Sequence, residues 1–247
     1  MIDNSNVFGG NSDESFNNKP IVIEDIIKDF IQATSTLMSD FVIKGCMALK
    51  NVLCNDDLNL RMTLDLDLHA YNRDTWENFC LRCCEMASLN SKYGIRYSLS
   101  RRRGFTKNPN GDSLMIDYSL DDSNGHFKID MNLGGSVDVV TFKVDGKILQ
   151  SYSKESILAD KLSVLATKKV CRRMKDLIDV YFISLSYDGS FKTLISKINS
   201  RLKNTGRVLD YDNLYLMNSS NLKDMKHAFD LFKCIPPLNK EFEEVYE

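Results

Sequence analysis

Apolar residues near the start of the chain recur first at a helical period and then at a strand period. Between Pro20 and Ser39 they return every three or four residues, which predicts an amphipathic helix. A short apolar strand over 41–44 follows, and Gly45 then turns the chain into a second helix over 46–53. The chain therefore opens with a helix–strand–helix unit.

The next strand, predicted over 61–68, alternates carboxylates with leucines. Successive side chains of a strand point to opposite faces of a sheet, so Asp65 and Asp67 leave the same face. The leucines at 64, 66 and 68 leave the other face. One face of this strand is therefore expected to be apolar and buried, and the other to carry two neighbouring acids.

The remaining pattern separates strands from helices along the chain. Arg73 to about Leu89 is a further predicted helix, and the segments of strand character are 95–99, 114–120, 126–132, 137–144 and 147–149. From Ser153 onward the pattern is helical almost to the end. This order predicts an α+β fold, with a mixed β-sheet flanked by helices and a helical C-terminal part. The predicted organisation is a flexible N-terminal arm over 1–19, a sheet domain over 20–150 and a helical domain over 151–247 that contributes to the active site.

Composition and charge are those of an ordinary intracellular protein. The 247 residues carry a net charge of −2, which argues against a general coat for nucleic acids. The absence of a long apolar run and of a signal segment predicts a cytoplasmic protein with no membrane association. Seven cysteines, an odd number, favour a reducing compartment. Cys80 and Cys83 have the spacing of a zinc pair, but without a second pair they are better interpreted as part of a buried helix stripe.

Asp65 and Asp67 are the first candidates for chemistry. Two neighbouring carboxylates repel each other unless a cation lies between them, and a divalent ion that keeps positions for water and phosphate fits such a pair. The helix that starts after Gly45 presents unpaired N–H groups, so Lys44, Gly45 and Cys46 are expected to bind phosphate. The alternative is that the two acids are only the solvated side of an amphipathic strand.

Asp130 and Lys161 are candidates to join these acids. On a neighbouring strand Asp130 would supply a third carboxylate; the alternative is a solvated strand face closed by the charge of Lys128. Lys161 lies on the apolar face of its own helix, where an unpaired ammonium is costly. Its side chain either snorkels to solvent or, if that helix packs on the sheet, reaches the metal-bound phosphates or the acids of the sheet.

Two basic segments complete the set of candidates. Five cations between Lys168 and Lys175 lead into an apolar helix, and Asp176 in its first turn is either a cap or a base or ligand that points to the site. Arg173 and its neighbours are either surface charges or contacts to a triphosphate or an RNA backbone. The run Arg101–Arg103 is either a solvated surface or a contact for an RNA acceptor.

Five short motifs follow one another over residues 20 to 185. They are Lys44-Gly45, Arg61-x-Thr63-x-Asp65-x-Asp67, Lys128-Ile129-Asp130, Leu158-Ala159-Asp160-Lys161-Leu162 and Arg173-x-x-Asp176-Leu177-x-Asp179-x-Tyr181. In this order they resemble the AbiEii/AbiGii-type nucleotidyltransferase toxins, within the DNA-polymerase-beta-like superfamily. The resemblance implies a minimal nucleotidyltransferase domain with a helical partner and Mg²⁺-dependent transfer of a nucleotide from an NTP. It also implies, as in some members, the acceptor end of tRNA as acceptor, and neutralisation by a separately encoded antitoxin.

The resemblance also implies roles for individual residues. Asp65 and Asp67 look like the ligands of Mg²⁺ (or Mn²⁺), and Asp130 matches the third acid of the superfamily. Lys161 looks like the triphosphate contact, and Asp176 like the residue that orients or deprotonates the acceptor hydroxyl. The four aspartates are therefore the expected catalytic residues.

One departure from the family pattern concerns the phosphate turn. This chain has Gly45-Cys46 where the family usually has Gly-Gly or Gly-Ser, but the N–H of a cysteine still donates, so weakened nucleotide binding is expected. The expected function is that of a nucleotidyltransferase toxin of a toxin–antitoxin system. The alternatives are a catalytically inactive nucleotide- or partner-binding relative and, more remotely, a phosphohydrolase that uses the same acids on water.

Overall fold

A computed structural model describes most of the chain. The described residues are 22–53, 62–100, 106–108, 111–134, 137–144, 146–166, 173–204, 221–232 and 240–246. Those up to Tyr152 form one compact unit, and those from Ser153 onward form a second. The predicted arm over 1–19, the run Arg101–Arg103 and the cations at 168–172 lie outside the described residues. Among the described helices, none combines the length and the apolar character needed to cross a membrane.

The N-terminal unit contains four described helices and the strands of a single sheet. The helices are α1 (Ile23–Ala33), α2 (Ser35–Met38), α3 (Gly45–Leu53) and α4 (Arg73–Asn90). The strands are β1 (Phe41–Lys44), β2 (Asp65–Ala70), β3 (Arg96–Leu99), β4 (Thr106–Asn108), β5 (Gly111–Leu120), β6 (Ser123–Leu133), β7 (Val139–Val144) and β8 (Lys147–Tyr152). The C-terminal unit is helical where it is described, with α5 (Lys154–Leu165), α6 (Met174–Ser184), α7 (Phe191–Asn204), α8 (Leu222–Leu231) and α9 (Phe242–Tyr246).

The described strands form one mixed sheet. Its order is β3-β5-β6-β2-β1-β8-β7, and β4 pairs with β5. The β2–β6 and β1–β8 pairs are parallel, whereas the remaining pairs are antiparallel. This mixed sheet and the helical segment after it confirm the predicted α+β fold.

The central strand β2 begins later and ends later than the sequence pattern indicates. Its predicted range was 61–68, whereas the strand covers Asp65–Ala70. The reason is the neighbouring strand, because β1 pairs with the four residues from Asp67 to Ala70 and thereby extends the ladder beyond Leu68. Leu64 precedes the strand and is 64% exposed, so the predicted apolar face starts only at Leu66.

The core of the N-terminal unit lies on the leucine side of β2. Leu66 and Leu68 are fully buried there. Aromatic rings from α1, β1, α4, β3 and β6 pack edge to face nearby, at centroid distances that are typical of such pairs: Phe30, Phe41, Phe79, Tyr97 and Phe127. Because this face is closed by apolar packing, the acids of β2 are held on the opposite face of the sheet.

Candidate active site

The strand register places four polar residues in one row across the sheet. Lys44 of β1 pairs with Asp67 of β2, Asp67 pairs with Asp130 of β6, and Asp130 pairs with Ser113 of β5. Directly paired residues of neighbouring strands share a face. The structure therefore brings Lys44, Asp67 and Asp130 together, and Asp65, two residues before Asp67, lies on this face beside Lys128. We call the set Asp65, Asp67, Lys128 and Asp130 the acid face.

Gly45 makes room for the carboxylate of Asp67. Its φ is +64°, and a Cβ atom at this position would lie 2.0 Å from Oδ2 of Asp67. Any side chain would therefore collide with the acid as well as strain the backbone. Since Gly45 is the first residue of α3, the carboxylate lies at the positive end of that helix. Gly45 was expected to bind phosphate, and it also makes room for Asp67, one of the predicted metal ligands.

The neighbouring residues Lys44 and Cys46 have different surroundings. The ammonium of Lys44 lies over the ring of Tyr152, 5.8 Å from its centroid. The side chain of Cys46 is buried, with 2% exposure, so that a phosphate contact of this residue rests on its backbone N–H. Their assignment to phosphate binding stays a prediction.

Lys128 is a cation within the acid face that the motif analysis did not count as functional. Its Nζ lies 2.5 Å from Oδ2 of Asp130, while Ser113 Oγ donates to Oδ1 of Asp130 at 2.6 Å. The hydrogen bond with Asp130 raises the pKa of Lys128, burial opposes this, and the charges of Asp130, Asp65 and Asp67 add to the increase. The sequence contained a signal for this contact, because Lys128 lies two residues before Asp130 on the same strand and so shares its face.

The acid face supplies the oxygen ligands that a hard divalent cation prefers, but its third acid is already engaged. Asp65 and Asp67 fit the role of Mg²⁺ ligands by chemistry and by their common face. Both oxygens of Asp130 accept from other side chains. Among the described residues, no group of three or more His, Cys, Asp or Glu side chains is arranged to hold a metal ion. The metal roles of all three aspartates stay predictions.

The C-terminal unit contains a buried charge cluster, formed by Lys161, Arg173, Asp176 and Asp179. Lys161 Nζ of α5 lies 2.7 Å from Asp176 Oδ1 and 2.7 Å from Asp179 Oδ2, one turn apart on α6. The side chains of both acids are 1% exposed, and that of Lys161 is 11% exposed. Lys161 therefore does not snorkel to solvent, because it is buried and paired within its own unit.

This pairing fixes the charge of Lys161. Burial alone would lower the pKa of its ammonium, but the two carboxylates outweigh burial and raise the pKa well above its usual range. Asp179 is the member of the cluster to which sequence reasoning gave no role. Its signal was the i+3 spacing from Asp176, which puts both acids on one face of a helix.

Asp176 has one oxygen that forms no hydrogen bond. Oδ1 accepts from Lys161, whereas Oδ2 lies 2.5 Å from Nε of Arg173. Both Oδ2 and this Nε are buried and lack a hydrogen-bond partner, so their contact is an ion pair without hydrogen-bond geometry. A buried polar atom without a hydrogen bond is uncommon in a folded protein, which sets this oxygen apart.

A cavity of about 470 Å³ lies in the C-terminal unit. It is lined by Met174, Asp224, His227, Ala228, Leu231 and Phe232. None of the predicted site residues lines it, and Leu231 at its rim is 67% exposed. The candidate site therefore rests on the acid face and the charge cluster rather than on this cavity.

Comparison with known proteins matches most of the chain to one family. Residues 29–247 match the family model described as "Nucleotidyl transferase AbiEii toxin, Type IV TA system". None of the curated proteins matches the chain significantly.

Two solved structures are similar to the chain to different degrees. JHP933 from Helicobacter pylori is 16% identical, with a TM-score of 0.50, over 83% of this chain and 85% of that chain. An antigenic nucleotidyltransferase-like protein from Paracoccidioides brasiliensis is 15% identical, with a TM-score of 0.45, over 84% and 92% of the two chains. At such low identity the likeness to JHP933 shows the fold alone.

Proposed function

Because the chain belongs to the AbiEii nucleotidyltransferase toxin family of type IV toxin–antitoxin systems, we propose that it transfers a nucleoside monophosphate from an NTP to a hydroxyl acceptor. The observation that carries this proposal is the row Lys44–Asp67–Asp130 on one sheet face, next to the start of α3. Within this class we propose the acceptor end of tRNA as acceptor, Mg²⁺ (or Mn²⁺) as cofactor and an antitoxin as partner.

On the acid face, Asp65 and Asp67 would hold the metal ion. When bound, the ion supplies positive charge that neutralises the triphosphate and orients it. Asp67 is fixed for this task because it lies in mid-strand, paired on both sides, and against the Cα of Gly45. The N–H groups at the start of α3 offer donors to the phosphates, and Lys44 adds a cation at the end of β1.

In the charge cluster, Lys161 is proposed as the triphosphate contact and Arg173 as a second cation for phosphate. Asp176 is proposed to orient the acceptor hydroxyl and to take its proton at Oδ2, the oxygen without a hydrogen bond.

The proposed reaction is an in-line displacement at the α-phosphorus of the NTP. The acceptor oxygen forms the new P–O bond, the bond from the α-phosphorus to the bridging oxygen of the β-phosphate breaks, and pyrophosphate leaves. The proton of the hydroxyl passes to Asp176. The protein would contribute mainly by positioning and by compensation of charge, as in other phosphoryl transfers.

The test is nucleotide transfer by the purified chain, incubated with each α-labelled NTP, Mg²⁺ and total RNA. Wild type is expected to label RNA, and Asp65→Asn and Asp67→Asn are expected to lose nearly all transfer together with metal binding. Asp122→Asn, an exposed acid in the β5–β6 turn, is the matched control and should behave like wild type. Full Mg²⁺-dependent labelling by Asp65→Asn would refute the assignment of this acid.

A second candidate function is supported by the engaged state of Asp130. Its carboxylate already contacts Lys128 and Ser113. The alternative to nucleotide transfer is therefore that the protein is a relative that binds a nucleotide or a partner without turnover. The same experiment separates the two functions, because binding of labelled NTP without any labelled product supports the inactive relative. Release of monophosphate or free phosphate without labelled RNA would instead indicate hydrolysis.

A further inference from the structure

We infer that Glu24, acting through Thr63, is a positioning residue for Asp65; this inference rests on the proposed function. Asp65 needs such support because it is the first residue of β2. It pairs only with Lys128 of β6, whereas β1 reaches no further along β2 than Asp67. The carboxylate of Asp65 therefore lies at the end of a ladder, where the backbone is held on one side only.

Thr63 supplies the missing constraint. It is fully buried, and its Oγ1 lies 2.8 Å from the carbonyl oxygen of Asp65 and 3.3 Å from its Oδ1. A single hydroxyl proton can be shared between these two acceptors or given to either. The hydroxyl thus ties the backbone and the carboxylate of Asp65 to one point. Leu64, between the two residues, is 64% exposed and adds no comparable packing.

Glu24 holds Thr63 in turn. It lies in the first turn of α1 with 7% exposure, and its Oε2 accepts from the backbone N–H of Thr63 at 3.3 Å. The same oxygen accepts from Lys50 of α3 at 2.5 Å, and Oε1 pairs with Lys28 at 3.2 Å. A buried carboxylate between two ammonium groups is a firm anchor, because moving it would leave charges unpaired.

Both predicted metal ligands are in this way connected to one helix. Asp67 lies against Gly45 at the start of α3, and Asp65 is linked through Thr63 and Glu24 to Lys50 near the end of α3. A relay of contacts therefore runs from Lys50 through Glu24 and Thr63 to Asp65. Together with the contact between Asp67 and Gly45, this relay would keep the carboxylates of Asp65 and Asp67 in a fixed relation to the proposed phosphate-binding turn. Residues that orient metal ligands in this manner typically change metal affinity or activity by about 10- to 100-fold when they are removed.

The decisive pair of variants is Thr63→Val and Thr63→Ser. Valine keeps the shape of threonine but lacks the hydroxyl, whereas serine keeps the hydroxyl. We expect Thr63→Val to weaken Mn²⁺ binding, measured by isothermal titration calorimetry, and to lower kcat by about tenfold or more while KM for NTP changes little. Thr63→Ser should stay within about threefold of wild type in both measurements.

Glu24→Gln tests the next step of the relay. Glutamine still offers an oxygen to the N–H of Thr63 but removes the charge that Lys50 holds, so a smaller loss of Mn²⁺ affinity is expected than for Thr63→Val. All titrations are made well below the thermal midpoint of each variant, so that a loss of stability does not imitate a loss of affinity.

The outcomes separate the relay from the proposed function. A wild type that neither binds Mn²⁺ nor transfers a nucleotide overturns the proposed function, and the relay with it. A wild type that does both, together with a Thr63→Val variant that melts earlier but binds Mn²⁺ as tightly as wild type, overturns the relay alone. If Thr63→Ser binds Mn²⁺ about as tightly as wild type while Thr63→Val binds it more weakly, the result supports the relay.

Discussion

The acid face of the N-terminal unit and the charge cluster of the C-terminal unit differ in how they compensate the repulsion between neighbouring carboxylates. In the charge cluster, two acids with 1% exposure are balanced by Lys161 and Arg173. On the acid face, three acids surround Lys128, and the side chains of Lys128 and Asp130 are 43% and 29% exposed. A buried cluster must be neutral to be stable, whereas a partly solvated one tolerates excess negative charge.

This difference indicates what each region is able to accept. The charge cluster has its carboxylates and cations matched, so any ligand that enters must replace contacts that already exist. The acid face, by contrast, carries three carboxylates and one ammonium, an excess of negative charge. The comparison therefore favours metal binding on the acid face and a fixed scaffold for Lys161 and Asp176, and four predictions test it.

The largest effect is expected from Lys161→Met. The change leaves Asp176 and Asp179 buried with less compensating charge, and breaking a buried ion pair in this way typically costs about 3–5 kcal/mol. Urea unfolding should show this loss as a lower midpoint. Lys128→Met is the matched control, because its partner is partly solvated and its ion pair is expected to contribute less than about 1 kcal/mol. Equal losses in the two variants would remove the distinction between the regions.

Gly45→Ala tests how Asp67 is held on the acid face. The left-handed conformation costs alanine about 1–2 kcal/mol, and the collision with Oδ2 of Asp67 adds to this cost. Gly94→Ala is a control within the same chain, since its φ is +71° and a Cβ there meets no atom within 4 Å. Thermal unfolding should therefore show a larger loss for Gly45→Ala than for Gly94→Ala. The excess should shrink in an Asp67→Ala background, and if it persists there, the collision is not its cause.

The sequence predicts the faces of these elements better than their partners. Alternation alone puts Asp65 and Asp67 on one side of β2, because the period of a strand is a local property. The register of β2 with β1 and β6, by contrast, depends on tertiary packing. For that reason the row through Lys44, Asp67 and Asp130 required the structure.

The same limit applies to the charges. An apolar helix face with a lysine predicts that Lys161 needs a partner, but not that Asp176 and Asp179 both provide it. Sequence reasoning also gave Glu24 no role, because residues 24 and 63 are distant in the chain and their contact follows from the docking of α1. Residue types and spacing thus identify candidates, and long-range packing decides which of them meet.

Acid titration of stability tests the support of the acid face. Burial raises the pKa of Glu24, but Lys50, Lys28 and the N–H of Thr63 outweigh it, so the pKa lies below its ordinary value of 4.5. A group with a lowered pKa contributes stability above its unfolded pKa and loses it as the pH falls through the folded pKa. Wild type should therefore lose more stability than Glu24→Gln as the pH falls below about 4.5, in urea unfolding at a series of pH values. Parallel curves would show that Glu24 is not the ionised anchor inferred here.

Lys128→Met is expected to change stability least of all, but it tests the comparison between the two regions most directly. Its ammonium compensates Asp130 and lies in the field of Asp65 and Asp67, so its removal leaves the acid face more negative at a cost of less than about 1 kcal/mol. A divalent cation should then bind more tightly, by about three- to tenfold at low ionic strength and by less at high salt, because screening weakens the competing charge. Mn²⁺ titration calorimetry at two salt concentrations measures this, with Lys143→Met on the exposed side of β7 as the control that removes the same charge elsewhere. If Lys128→Met binds Mn²⁺ no more tightly than wild type, Lys128 orients Asp130 for the ion instead of competing with the ion. The excess of negative charge would then no longer explain why the acid face accepts a cation.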